Sequence, residues 1–184
     1  MKVGFATKSD VSEIVKIQRT MLTRFKKRRA LKHGFLVNPV TEKKLKAVAA
    51  NQRRELLISA KEGKQVVGYA YAFDLAFLLR SPKWNGKLRF NETGWKKIRG
   101  KTVIYIKHVA RTKESTGVGK ELEKKLFDEA RKVGYDSIVG EIMIKPAKNE
   151  ASFGAHKASG GWTEIGKVTY SNGEVWALVM KNLK

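Results

Sequence analysis

A chain of 184 residues with no cysteine and a formal net charge of +22 is long enough to bury roughly 70% of its unfolded surface as one domain. It can hold no disulfide, no thiolate metal site and no cysteine nucleophile, and its three histidines form no H-E-x-x-H pair of the kind that binds catalytic zinc. The N-terminus lacks a secretory apolar core, and no apolar run reaches the roughly 20 residues of a membrane span. The expectation is therefore a soluble cytoplasmic protein, without membrane contact, that works as a monomer or homodimer. Its charge attracts polyanions, whether nucleic acid, an acidic protein surface or an anionic ligand, unless it reflects a generally lysine-rich proteome.

In chain order, Lys2 to Phe5 reads as a first strand, and Asp10 caps a helix whose apolar stripe is Val11, Ile14, Val15, Ile17 and Leu22. The basic run Lys26, Lys27, Arg28 and Arg29 follows, either a solvated face or a phosphate-binding patch. Thr41 opens a second helix through about Asn51, with Leu45, Val48 and Ala49 inward. From Glu55 the period changes: Leu56 to Ala60, a turn at Glu62-Gly63-Lys64 and Gln65 to Phe73 form an antiparallel hairpin. Between Leu78 and Gly100 no period holds, which predicts an irregular insertion across 78–100 serving as a substrate loop, with Trp84 and Trp95 either stacking on substrate or pinning the loop to the core.

Val103 to Val109 is β-branched and aromatic, the pattern of a buried strand. Val118, Leu122, Leu126, Ala130 and Val133 then recur at helical spacing until Gly134. Between strand and helix lies Lys113-Glu114-Ser115-Thr116-Gly117-Val118-Gly119-Lys120. In that context the two glycines admit close approach of a ligand, and the N–H groups of the first helical turn suit a pyrophosphate. The stretch is neither a Walker loop nor a dinucleotide fingerprint, since Leu122 stands where the third glycine of the latter belongs. Downstream, Asp136 to Ile144 is apolar on both faces apart from Glu141, which suits a central strand covered on both sides. Asn149 then caps a short helix ending at Gly160-Gly161, and a last hairpin pairs Lys167 to Tyr170 with Val175 to Met180.

Two of these stretches resemble the GNAT superfamily of acyl-CoA-dependent N-acetyltransferases. Glu114 to Gly119 matches its motif Q/R-x-x-G-x-G/A with glutamate in the first position. Pro146, Asn149, Ser152, His156, Gly160 and Trp162 follow its form P-x-N-x-x-S/A-x-x-x-H/Y-x-x-x-G-F, with one extra residue after the proline and one extra glycine before Trp162. The order of elements agrees over essentially the whole chain. The resemblance implies a single α+β domain over residues 1–184, an α/β/α sandwich-like arrangement in which a mixed, mainly antiparallel sheet of about six to seven strands has helices on both faces.

It also implies an acetyltransferase in which an amine acceptor attacks acetyl-CoA directly, with no metal. Ser115, Thr116, Gly117, Val118, Gly119 and Lys120 would cradle the pyrophosphate. The backbone of His108, Val109 and Ala110 would face the acyl group and pantetheine, with Asn149 and Ser152 beside that arm. His156 matches the position of the family's tyrosine proton donor, and an imidazole is a sensible substitute for protonating a thiolate; a packing histidine is the alternative, with Tyr105 or Tyr170 supplying the acid. Glu141 is the candidate base, because an apolar strand tolerates a carboxylate only where something uses or pairs it; a lysine salt bridge or a water chain is the alternative. The competing class is a non-catalytic or nucleic-acid-binding module that uses the basic surface.

Overall fold

Among the described strands every pairing but one is antiparallel, and the exception determines the architecture. The computed structural model describes residues 1–22, 35–80, 88–90, 92–170 and 172–184. In order these form β1 (Lys2–Phe5), α1 (Val11–Met21), α2 (Glu42–Ala50), β2 (Glu55–Glu62), β3 (Gln65–Asp74), α3 (Leu75–Arg80), β4 (Leu88–Phe90) and α4 (Glu92–Ile98). There follow β5 (Val103–Arg111), α5 (Val118–Val133), β6 (Ser137–Lys145), α6 (Glu150–Ser159), β7 (Trp162–Thr169) and β8 (Val175–Asn182). The sheet has eight strands in the order β1-β2-β3-β5-β6-β8-β7-β4. Only β5 and β6 run parallel among the described pairs, and parallel neighbours need a crossover, here α5.

Side-chain alternation assigns the two faces. On one, Leu56, Ile58, Ala70, Ala72, Ile104 and Ile138 pack beneath Val118, Leu122, Leu126 and Ala130 of α5, and α6 covers Ile142 through Phe153. On the other, Leu57, Tyr69 and Tyr71 pack with Ile14, Ile17, Leu45 and Val48 of α1 and α2, and Tyr105, Val139 and Leu178 pack with Leu75, Leu78 and Ile98 of α3 and α4. This is the α+β sandwich implied by the resemblance, with one strand more than the sequence predicts.

That strand comes from the stretch read as an irregular insertion. Its described residues form α3, β4 and α4, with β4 extending the sheet on β7; elements of 6, 3 and 7 residues are too short to display a period. Leu75, Leu78 and Ile98 belong to the core, and none of the stretch's described residues borders the cleft discussed below. Lys26, Lys27, Arg28, Arg29 and Trp84 lie outside the described residues, as does the ring of Trp95. Two further expectations change. Asp10 holds the N-cap position of α1 but its side chain does not cap the helix: the carboxylate accepts from the Thr7 N–H at 2.9 Å and from Ser59 at 3.3 Å and pairs with Lys61 at 2.6 Å. Val133, predicted to close the α5 stripe, is 47% exposed in the last helical turn. Among the described residues no helix is long and apolar enough to cross a membrane.

Gly94 marks the closest packing of α4 on the sheet, since a Cβ there would lie 1.9 Å from the Ile165 carbonyl oxygen. Gly94→Ala is expected to push α4 off β7 and to lower stability by about 1–3 kcal/mol, the usual cost of overpacking, read as a fall in the urea midpoint at unchanged slope.

Candidate active site

The ladder between β5 and β6 begins at Val103↔Ser137 and ends at Ile106↔Gly140. β5 continues along β3 with one residue in excess, Lys107, because Tyr71 faces His108 while Ala72 faces Ile106. The bulge re-aims β5, whereas β6 stays with β8 as far as Lys145. The strands therefore part beyond Ile106 and Gly140. A cleft of about 440 Å³ opens in the gap, reaching from Gly119 and Lys120 to Tyr170 and Trp176.

At one end stands the glycine turn. Gly117 is the residue before α5 and has φ +74°, a left-handed conformation that suits glycine. It offers no side chain to cap the helix, so the Val118 and Gly119 N–H groups remain available to a ligand, while the Lys120 N–H donates to the Gly117 carbonyl at 3.1 Å. A Cβ on Gly119 would meet nothing within 4 Å. The turn is braced from within: Arg111 donates to the carbonyls of Thr112 at 2.9 Å and Lys113 at 3.2 Å, and the Thr112 and Ser115 hydroxyls bond each other at 2.9 Å. Ser115 is buried, and the Val118 side chain belongs to the core. Glu114, Thr116 and Lys120 are exposed; the glutamate turns outward.

The remaining polar groups divide between the two sides of β6. Glu141 is on the α1 side with Tyr105. Its Oε2 accepts from the Tyr170 hydroxyl at 3.0 Å, while Oε1 is buried with no hydrogen-bond partner among the described residues. Burial raises this carboxyl above the ordinary glutamate range, against the opposing pull of Lys107 and the Tyr170 and Tyr105 hydroxyls. Burial and then Glu141 hold both tyrosines protonated.

His156 is on the α5 side. Its Nδ1 lies 2.6 Å from the Ser152 carbonyl, so Nδ1 carries the proton and Nε2 the free lone pair. Nε2 faces Gly140, where a Cβ would come within 3.9 Å of it, and the ring packs 4.3 Å from that of Trp162. Burial, and to a lesser degree Lys181, hold the imidazole below the usual histidine range against the Ser152 carbonyl. Lys181 itself caps the end of α6, donating to the carbonyls of Ser159 at 2.9 Å and Gly160 at 2.8 Å.

Residues 35–40 wall the cleft on the α1 side, and polar groups from three elements hold their backbone. From α1, the Met21 carbonyl accepts from the Leu36 N–H at 2.8 Å, and Gln18 bonds both the N–H (2.8 Å) and the carbonyl (3.3 Å) of Val40. From α6, Asn149 donates to the Phe35 carbonyl at 3.4 Å while its Oδ1 accepts from Ser152 N–H at 3.2 Å to cap the helix. From β5, His108 donates through Nε2 to the Asn38 carbonyl at 2.8 Å and accepts the Tyr69 hydroxyl at Nδ1, 2.9 Å away. Burial, then Lys107, push His108 down to about 3, so it stays neutral.

No protein-family profile and no curated protein matches this chain. Solved structures do resemble it. A protein of Salmonella typhimurium with its cofactor acetyl-CoA superposes with a TM-score of 0.63 at 21% identity, covering 100% of this chain and 94% of its own. The ribosomal-protein-alanine N-acetyltransferase of Brucella melitensis gives 0.63 at 18% identity and 99% coverage of both chains. The aminoglycoside 6'-N-acetyltransferase of Enterococcus faecium gives 0.66 at 10% identity, covering 100% and 98%. This chain has the GNAT fold.

Within the GNAT fold, several of the residues singled out from sequence line one cleft, whereas Ser115, Thr116, Gly117 and Val118 are not among its lining residues. Gly119 and Lys120 border its turn end; Tyr105 and Glu141 gather on the α1 side, and Asn149, Ser152 and His156 line the α5 side. His108, Val109 and Ala110 follow the point of divergence, although the His108 ring is committed to the wall. The sequence reading missed Glu123, Gln18 and Lys181. Glu123 was legible in principle, since it precedes Phe127 by one turn and Ala130 by two on the buried side of α5. Gln18 and Lys181 act on backbone carbonyls distant in sequence and leave no local signal. Among the described residues no three acidic or histidine side chains gather as a metal site.

Because the raised Glu141 carboxyl favours its protonated form in the folded protein, its ionised form costs stability above the folded pKa, and that cost vanishes as pH falls toward the unfolded value. Glu141→Gln is therefore expected to be more stable than the parent near pH 8, with the difference gone near pH 4, when urea unfolding is compared at the two pH values.

Proposed function

We propose that this protein is an N-acetyltransferase that moves the acetyl group of acetyl-CoA directly onto a primary amine of a small molecule or protein. The observation that carries the reading is the parting of β5 and β6, which joins an anion-accepting helix terminus on one side to a buried, half-satisfied carboxylate on the other. The bound cosubstrate would supply an activated thioester. The left-handed Gly117, the open approach at Gly119 and the first-turn N–H groups fit its pyrophosphate, and the backbone from His108 to Ala110 fits its amide-bearing arm.

Glu141 takes the proton of the incoming amine at Oε1, the oxygen without a partner among the described residues, while Tyr170 holds Oε2 and orients the group. Its raised pKa brings it closer to the value an efficient base needs. His156 serves the sulfur from the opposite face. It donates only when Nε2 carries a proton, and the lowered pKa places that form on the acid side, so its contribution falls as pH rises. The likeness to acceptors as different as an aminoglycoside and a ribosomal protein does not select one here, and an acceptor screen with isotope-labelled acetyl-CoA is the way to find it.

The primary test is calorimetric titration with acetyl-CoA. Binding is expected for the parent and its loss for Gly117→Val, because a β-branched residue in the left-handed region costs roughly 1–2 kcal/mol or more and reshapes the turn; a folded variant with unchanged affinity would overturn the turn assignment. Failure of the parent to bind, together with salt-sensitive RNA binding, would favour the nucleic-acid-binding alternative. With the acceptor from the screen, His156→Ala is expected to lower turnover by roughly 10²–10⁴-fold at little cost in acetyl-CoA affinity and to remove the alkaline limb of the pH profile. Tyr105→Phe is the control, and loss of turnover there with His156→Ala unaffected would move the proton donor to that tyrosine; Tyr170→Phe is expected to lower turnover through the lost bond to Glu141.

A further inference from the structure

Two glutamates on α5 are equally buried, each 7% exposed, and only one is paired. Glu129 lies between Lys125 at 2.8 Å and Lys132 at 2.9 Å. Among the described residues no cation lies within ion-pair distance of Glu123, nearer the glycine turn, and none sends it a hydrogen bond. Lys181 acts on it at longer range, but that ammonium is already bonded to the carbonyls of Ser159 and Gly160. A glutamate is rarely buried without a partner. This one borders the cleft beside Gly119, Lys120 and Ser159, and neither of its oxygens is sealed off as Glu141 Oε1 is, so its carboxyl is open to whatever occupies the cleft.

We infer that Glu123 is a ligand-contact residue that holds acetyl-CoA as the neutral carboxylic acid, its O–H donating to an oxygen of the bound molecule. The inference rests on the acetyl-CoA reading above. An ionised carboxylate this close to the pyrophosphate turn would repel the phosphates through a poorly screened medium, whereas the acid form is compatible with burial and complementary to an amide or phosphoryl oxygen. The proton comes from solvent when the complex forms, making one O–H bond, and returns to solvent on release. Burial already pushes the Glu123 carboxyl above the ordinary range, against Lys181, and the added negative charge of the ligand acts in the same direction.

The other charged or titratable groups around this stretch are Lys120 on α5 itself, Arg111 from β5, His156 from α6 and Lys181 from β8; β2 and β3 meet α5 through apolar side chains. All four remain in Glu123→Gln, so comparison of that variant with the parent isolates the carboxyl. Acetyl-CoA has no free thiol to titrate. Any proton change from its terminal phosphate meeting cations would be a release, opposite in sign to the uptake expected from Glu123.

The experiment is calorimetric titration of parent and Glu123→Gln with acetyl-CoA at about pH 5 and about pH 7.5, in buffers of differing ionisation heat. The parent is expected to take up a fraction of a proton on binding at the higher pH, and the variant none. The variant, whose amide N–H replaces the acid O–H without needing a proton, is expected to bind about tenfold tighter at pH 7.5, the equivalent of one unit of coupling, with the gap closing toward pH 5. Equal proton uptake by both, or a variant that binds no tighter at pH 7.5, overturns the inference while leaving the acetyl-CoA reading in place. Absence of binding by either protein overturns both. Should the variant fold poorly, proton uptake by the parent alone decides, since its absence is inconsistent with a neutral Glu123 in the complex.

Discussion

Backbone groups that face each other across a sheet must be satisfied, and the parting of β5 from β6 breaks that rule in the middle of the molecule. Each strand keeps one neighbour, β3 and β8 respectively, and loses the other beyond Ile106 and Gly140. An unpaired buried amide or carbonyl costs about 1–3 kcal/mol, so several together are tolerable only where water or a ligand with its own donors and acceptors enters. Everything placed at the gap follows from this. α5 is the crossover required by the one parallel pair, and it points its N-terminus into the opening; α6 closes the same side, and residues 35–40 close the other.

The electrostatics are organised along the same gap. A protein of net charge +22 has no shortage of cations to neutralise its acids, and several of its carboxylates have lysine partners, as Glu42, Glu92 and Glu129 do. Two of those inside the cleft do not. Among the described residues Glu141 keeps one oxygen without a hydrogen bond and Glu123 has no bonded partner, although Lys107 and Lys181 act on them at longer range. Burial raises both. Their raised affinity for protons is thus a property of position in the split, and it makes the interior of a basic protein locally ready to exchange protons with a guest.

Much of this was legible in the sequence because it is local. Gly117 and Gly119 between a β-branched run and a helical stripe announce the turn, and Glu141 is conspicuous as a charge in an apolar strand. Asn149, three residues before the Ser152 N–H that it caps, is readable as an N-cap. What escaped was either too short or too distant. α3, β4 and α4 are packed by Leu75, Leu78 and Ile98 against strands much later in the chain, which overrides weak local preference. The bulge at Lys107 is a matter of register against β3, and a single strand's sequence does not display register. Gln18 and His108 look like an ordinary helix glutamine and strand histidine until the fold brings Val40 and Asn38 to them.

The anchoring of residues 35–40 has a consequence for how the molecule is assembled. This wall has no regular ladder or helix of its own beyond one bridge, Leu22↔Leu36, and it is held by α1, the far end of β5 and the cap of α6, elements up to 114 residues away along the chain. Contacts of that separation form only after the intervening chain has collapsed. This side of the cleft is therefore the last region to be built and the first to loosen when any of its three supports frays, so the cleft takes its final form only when the rest of the molecule is already complete.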